Sequence, residues 1–196
     1  MPLVKAGRVT QDRFVRLLDD APAPEGCAVL LPPARLIADA AALFQRAAPT
    51  GVIWPNDRKV SELAPHLDRL ALVGLVFPSF RDGRAYSQAR QLRERYGFRG
   101  ELRATGQVLR DQFLFLLRAG FDAFEVAKEA DVAAFVAAVA RYSVFYQPTG
   151  DGRTTALRAR LARAAVEHAP TLADAAAITS EDLPHAARRT SSASAR

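Results

Sequence analysis

Apolar residues recur through the middle of this chain in short blocks, separated by polar turns and by stretches of helical period. Residues 70–77, LALVGLVF, form an unbroken apolar run, the pattern of a strand buried on both faces. The run breaks at Pro78 and reaches the turn Asp82-Gly83-Arg84, after which residues 86–96 take helical period. A short strand is predicted over 101–105, ending on Gly106, and a strongly apolar helix over 108–119, stopped by Gly120. A third strand with alternating character follows over 121–126, and Asp131 is placed to cap a helix over 132–142 that turns Phe135, Val136 and Val139 inward. Three strands alternating with three helices at a period of about 25 residues call for parallel strands and right-handed crossovers.

Upstream the signals are weaker. Residues 1–25 mix polar and apolar positions and end in the spacer Ala21-Pro22-Ala23-Pro24, so they are expected as an N-terminal extension. A short strand at 29–31 is stopped by Pro32-Pro33, and an amphipathic helix over 34–48 carries Leu36, Ile37, Ala40, Leu43 and Phe44. Residues 51–54 are predicted as a strand leading into the turn Pro55-Asn56-Asp57, and Ser61-Glu62 opens a short helix with Leu63, Leu67 and Leu70 on one face. About five strands result, in an α/β domain over 26–148 with a mainly parallel sheet, either a small doubly wound sheet or a partial barrel. Beyond the turn-rich segment 147–153, residues 149–196 are expected to give an exposed helix over 157–168 and a disordered Ala/Ser/Thr-rich tail.

Composition narrows the chemistry. The 196 residues are 49% hydrophobic and 24% charged, enough for a real core, with a net charge of +6 carried mostly by arginine. An Ala- and Arg-rich composition accounts for that charge, and an anionic ligand or acidic partner is the sharper reading. Cys27, the one cysteine, precedes an apolar strand and is expected to be buried; with His66, His168 and His185 as the only histidines there is no metal-ligand spacing. GxGxxG and GxxxxGK[ST] fingerprints are absent, so no resident cofactor or metal is expected. No apolar run approaches the roughly 18 residues of a membrane span and the N-terminus has no apolar core, which points to the cytoplasm. Nucleic-acid binding is disfavoured because charge is present without a recognition motif.

Candidate ligand groups cluster in the loops at the C-terminal ends of the predicted strands, which begin at Pro78, Gly106 and Ala127. Between positions 81 and 103 stand Arg81, Arg84, Arg90, Arg93, Arg95, Arg99 and Arg103 against Asp82, Glu94 and Glu101. Arg90, Arg93 and Arg95 are assigned to a solvated helix face. Arg84 and Arg103 sit at the ends of neighbouring parallel strands, where two guanidiniums can converge on one anion; ion pairs of Arg84 with Asp82 and of Arg103 with Glu125 are the competing reading. Backbone N–H groups at the start of the helix near Tyr86-Ser87 add donors. Arg110 in a helical first turn calls for a carboxylate or ligand partner, whereas Asp111 suits the dipole there. The candidate anion site therefore comprises Asp82, Gly83, Arg84, Tyr86, Ser87, Arg103, Gly106, Arg110 and Asp111, with Thr105 beside it; no catalytic residue stands out.

The blocks DGRAYSQAR (82–90) and GELRATGQVLRDQ (100–112), running on into RAGFDAFEV, closely resemble the bacterial domain-of-unknown-function nine-three-four family, over about residues 50 to 147. The resemblance implies a gene beside that of the assimilatory sulfite reductase haemoprotein, and members labelled oxidoreductases of sulfite reduction on that basis. The function expected is an accessory, non-catalytic protein of assimilatory sulfate and sulfite reduction, binding the sulfite reductase haemoprotein or a small oxyanion; a homo-oligomer is compatible with it. The alternatives are a cofactor-borrowing oxidoreductase using Asp82 or Asp111 as acid/base, and a structural interaction module.

Overall fold

In the computed structural model, residues 2–18, 21–126, 128–140, 144–149 and 153–167 are described. Eight strands form one sheet: β1 (Leu3–Lys5), β2 (Arg8–Thr10), β3 (Phe14–Arg16), β4 (Ala28–Leu31), β5 (Thr50–Trp54), β6 (Leu72–Phe77), β7 (Glu101–Gly106) and β8 (Ala123–Glu125). Their order is β2-β1-β8-β7-β6-β5-β4-β3. From β3 to β8 every strand pairs in parallel with its successor, in register Trp54↔Leu75, Leu75↔Ala104 and Ala104↔Phe124 through the centre. The order never reverses, so the sheet has no switch point and is not doubly wound; the partial-barrel form is the one adopted. β1 adds antiparallel to β8 and turns back to β2 through Ala6-Gly7, both at positive φ, the geometry of a two-residue hairpin turn.

The sheet curls strongly. In a flat sheet β3 and β8 would lie about 24 Å apart, five spacings of roughly 4.8 Å. Arg16 of β3 nevertheless forms an ion pair with Glu125 of β8, and the Arg103 guanidinium of β7 sits 5.7 Å from the Phe14 ring of β3. Residues 3–16, expected to lie outside the domain, are thus strands of its sheet. Three-residue strands are too short to show an alternating pattern, which is why they escaped the sequence.

The helices are α1 (Pro33–Leu43), α2 (Arg84–Arg90), α3 (Phe113–Ala119), α4 (Asp131–Ala140) and α5 (Ala156–Glu167). Helices α1 and α2 pack on the sheet, α3 packs beside α2, and α4 lies on α3. A 3₁₀ segment over Val60–Arg69 contains Pro65, whose missing N–H removes one rung from a helical ladder. Val52, Trp54, Val73, Leu75, Phe77, Leu102, Ala104 and Phe124 point from the sheet into one core with Ala85, Ala89 and Leu92, and with Phe113 and Leu116 of α3. Phe113 meets Phe124 at 5.5 Å between ring centroids, and Phe77 meets Tyr86 edge-on at 5.3 Å.

Several local expectations shift. The helix predicted over 86–96 begins at Arg84 and passes after Arg90 into a π-helical turn, Gln91–Arg95, closed by the Tyr96 N–H donating to the Gln91 carbonyl. The helix predicted over 34–48 stops at Leu43, and that over 108–119 opens with a 3₁₀ turn, Arg110–Gln112, before α3. Val136 is exposed on α4 rather than turned inward, while the side chains of Phe135 and Val139 lie outside the described residues. Cys27 is exposed, because it stands in the turn before β4 and not in the strand. The loop at Ala127, His168, His185 and the tail from about 170 also lie outside the described residues.

Candidate functional site

Arg103 lies inside the curl, 1% exposed, at the centre of a charge network. Its Nε donates to Glu101 at 2.9 Å, its terminal nitrogens grip both oxygens of Asp12 at 2.7 and 3.1 Å, and one of them reaches Glu125 at 3.4 Å. Lys5 pairs with Glu101, Arg16 with Glu125, and the Thr105 hydroxyl donates to Glu125 at 2.7 Å. Three cations thus meet three carboxylates. The strands explain the convergence: Glu101, Arg103 and Thr105 alternate onto one face of β7, and β8 presents Glu125 on that same face. Arg103 is therefore a structural clamp, not a ligand-facing cation, and the Arg103–Glu125 contact is one arm of it.

Asp12 feels burial, which opposes its charge, but hydrogen bonds from Arg103 and the Phe14 N–H and the charges of Arg103 and Arg16 outweigh it and lower its pKa. A depressed carboxylate stabilises the fold above its unfolded value of 3.8 and loses that contribution as pH falls through the lower folded value. Between about pH 5 and about pH 2 the melting temperature of the native protein should therefore fall more steeply than that of an Asp12→Asn variant, measured by circular dichroism. Parallel curves would show that Asp12 is not part of the clamp.

Arg84 sits outside the curl. It grips Asp82 through Nε at 3.0 Å and a terminal nitrogen at 2.7 Å, an exposed pair at the start of α2. The Arg84 hydrogen bond, foremost, holds the Asp82 carboxyl far below the usual range. Such a carboxylate keeps its charge at neutral pH and is poorly suited to proton transfer. Tyr86 is half-buried against Phe77, and burial raises its hydroxyl pKa although a hydrogen bond with Gln112 opposes the rise. Arg110 and Asp111 stand 3.6 Å apart and both largely exposed, on a separate cavity lined by α3 and α4. The guanidiniums of Arg84, Arg103 and Arg110 thus occupy three different places and do not meet. Gly106, at φ +92°, closes β7 against β6, where a Cβ would collide with the Phe77 carbonyl oxygen.

Arg93 also departs from expectation. Instead of facing solvent it donates to the carbonyls of Gly120 at 3.0 Å, Phe98 at 2.6 Å and Gly100 at 2.9 Å, and to Asp122. It ties the end of α3 to the start of β7. Arg90 forms an exposed pair with Glu94, and Arg95 is exposed beside the Tyr96 ring.

What the structure does assemble is a cleft of about 550 Å³ between the loop after β5 and α2 with its π-helical turn. Arg84 and Ser87 line it together with Asn56, Arg58, Lys59, Ser61, Gln88, Arg95 and Tyr96. It lies at the C-terminal ends of β5 and β6, where parallel sheets place their ligands. Arg58 is held by Glu62 and by the Trp54 ring, whereas Lys59 and Arg95 have no carboxylate partner among the described residues. Asp57 is the one carboxylate in the lining. Arg95, at the end of the π-helical turn, and Tyr96 just after it belong to the wall. Sequence reasoning passed over Asn56, Arg58 and Lys59, yet the signal existed: a polar turn directly after a predicted strand.

Among the described residues, no cluster of histidine, cysteine, aspartate and glutamate is arranged to hold a metal ion, and no helix is long and apolar enough to cross a membrane. No curated protein matches the chain. The family model described as "Bacterial protein of unknown function (DUF934)" matches residues 51–157, which contain β6, β7, α2, α3 and the whole lining of the cleft. The chain belongs to the DUF934 family of bacterial proteins of unknown function.

Proposed function

We propose that this protein is an accessory, non-catalytic component of assimilatory sulfate and sulfite reduction in the cytoplasm, binding a small oxyanion in the cleft after β5 and β6. The pathway comes from the family resemblance carried by the blocks at 82–90 and 100–112. The oxyanion reading rests on one observation: Lys59 and Arg95 face a cleft that Arg58, Arg84, Ser61 and Ser87 also line, without carboxylates of their own among the described residues. Cations left unpaired beside hydroxyl donors are what a tetrahedral anion needs. Of the positions expected from sequence, Arg84 and Ser87 stay in this site; Arg103 and Arg110 do not. The sulfite reductase haemoprotein is the expected macromolecular partner.

Calorimetry with sulfite and with sulfate tests the cleft. The native protein is expected to bind, and a Lys59→Ala, Arg95→Ala double variant to bind at least about tenfold more weakly, since two charge-assisted contacts are lost. The melting temperature should hardly move, because both side chains are exposed. No binding by the native protein, or equal binding by the variant, would sink the site. Co-purification with the reductase tests the pathway separately.

A further inference from the structure

The polar groups on the helix side of the cleft form a row. They include Arg84, Ser87, Gln91 and Arg95, all exposed, at positions i, i+3, i+7 and i+11. Residues so spaced share one side of a helix, so this row is a single stripe running through α2 and its π-helical turn. At about 1.5 Å of rise per residue the stripe spans about 16 Å. Arg84 closes one end, its charge shared with Asp82 and opposed by nearby Asp57. Arg95 closes the other, with no carboxylate partner among the described residues. Lys59 and Ser61, both exposed, line the opposite side just after β5. A single tetrahedral ion occupies only part of such a row and leaves the rest unused. The cleft does not suit an organic body either, because that needs apolar wall to bury against. Val60 is the one aliphatic side chain in the lining and is 2% exposed, while the Tyr96 ring is already faced by the Arg95 guanidinium at 5.6 Å.

We propose that the cleft takes a linear polyanion of the condensed-phosphate type, laid along the stripe from Arg84 to Arg95, rather than a single tetrahedral oxyanion. This rests on the oxyanion reading of the same cleft. Lys59 and Arg95 supply the attraction, since neither is neutralised by a carboxylate among the described residues. The hydroxyls of Ser61 and Ser87 and the carboxamide of Gln91 donate to oxygens along the chain. The Arg84 end, with Asp82 and Asp57 beside it, bounds the ligand and adds little charge. A cavity of about 550 Å³ has room for such a chain and is far larger than a sulfate ion requires.

Titration calorimetry on the full chain in metal-free buffer, with linear triphosphate, cyclic trimetaphosphate, inorganic phosphate and sulfate, tests this without a variant. The ring is also multiply charged but compact, so it separates length from charge. Linear triphosphate should bind at least about tenfold more tightly than the ring, because only the chain reaches donors along the whole stripe. It should also exceed both single ions by at least that factor. Equal binding of chain and ring overturns the proposal, since the cleft then answers to charge alone. So does binding of phosphate and sulfate as tight as that of the chain, which leaves the oxyanion reading standing. No binding by any of the four overturns both. Gln91→Glu is the second arm, placing a like charge midway along the stripe at an exposed position. It should weaken triphosphate binding at least about tenfold with the melting temperature unchanged, and an unchanged affinity overturns the placement along the stripe.

Discussion

Replacing Arg103 with alanine is expected to lower stability by about 3–5 kcal/mol, the range for removing one partner from a buried ion network. Arg103 is 1% exposed and, among the described residues, is the only cation bonded to Asp12, Glu101 and Glu125 together. Without it, Glu125 keeps Arg16 and Thr105, Glu101 keeps Lys5, and Asp12 keeps no ion pair among the described residues. The loss also cuts the tie between β7 and the segment just before β3, leaving Arg16–Glu125 as the ion pair across the curl there. A drop of about 3–5 kcal/mol should show as a melting temperature lower by roughly 6–20 °C for a chain of this size. Arg103→Lys should recover little, because a single ammonium cannot hold Asp12 with two parallel bonds and Glu101 with a third. A variant melting within about 2 °C of the native protein would mean that the network contributes no net stability. Arg84→Ala is the matched control, since that exposed pair should leave the melting temperature where it is.

Gly106→Val should be comparably damaging for a backbone reason. At φ +92° a β-branched side chain is strained, at about 1–3 kcal/mol. Its Cβ would also press into the Phe77 carbonyl, which is already bonded by the Gln107 N–H at 2.8 Å and so cannot yield. Overpacking of that kind costs a further about 1–3 kcal/mol. The combined loss should be read from urea denaturation as a lower midpoint with an unchanged slope. If the midpoint holds, the β6–β7 ends are more pliable than their geometry implies.

Legibility tracked the distance over which each feature is determined. The apolar run of β6, the helical period after Arg84 and the Gly120 stop depend on neighbours a few residues away, and they appeared close to where they were expected. The pairing of Arg84 with Asp82, two residues apart, was legible for the same reason. The Asp12–Arg103 pair spans 91 positions and exists only because the sheet curls. Arg93 looked like one more solvent-facing arginine until Gly100 and Gly120 came to lie beside it.

By itself the sequence determined the βα alternation, the parallel sheet and the family, because hydrophobic period and turn residues act locally and the family blocks are contiguous. Only the tertiary structure decided that the sheet curls as a partial barrel, that β1 to β3 join it, that Asp12 and Glu101 join Glu125 around Arg103, and that Arg93 turns to the Gly100 and Gly120 carbonyls. A guanidinium takes whichever carboxylates the backbone brings within about 3 Å, and the backbone brings them together through strand order, not through spacing along the chain. That is why Arg103 turned inward to hold the fold, while Arg84 was left at a cleft with Lys59 and Arg95.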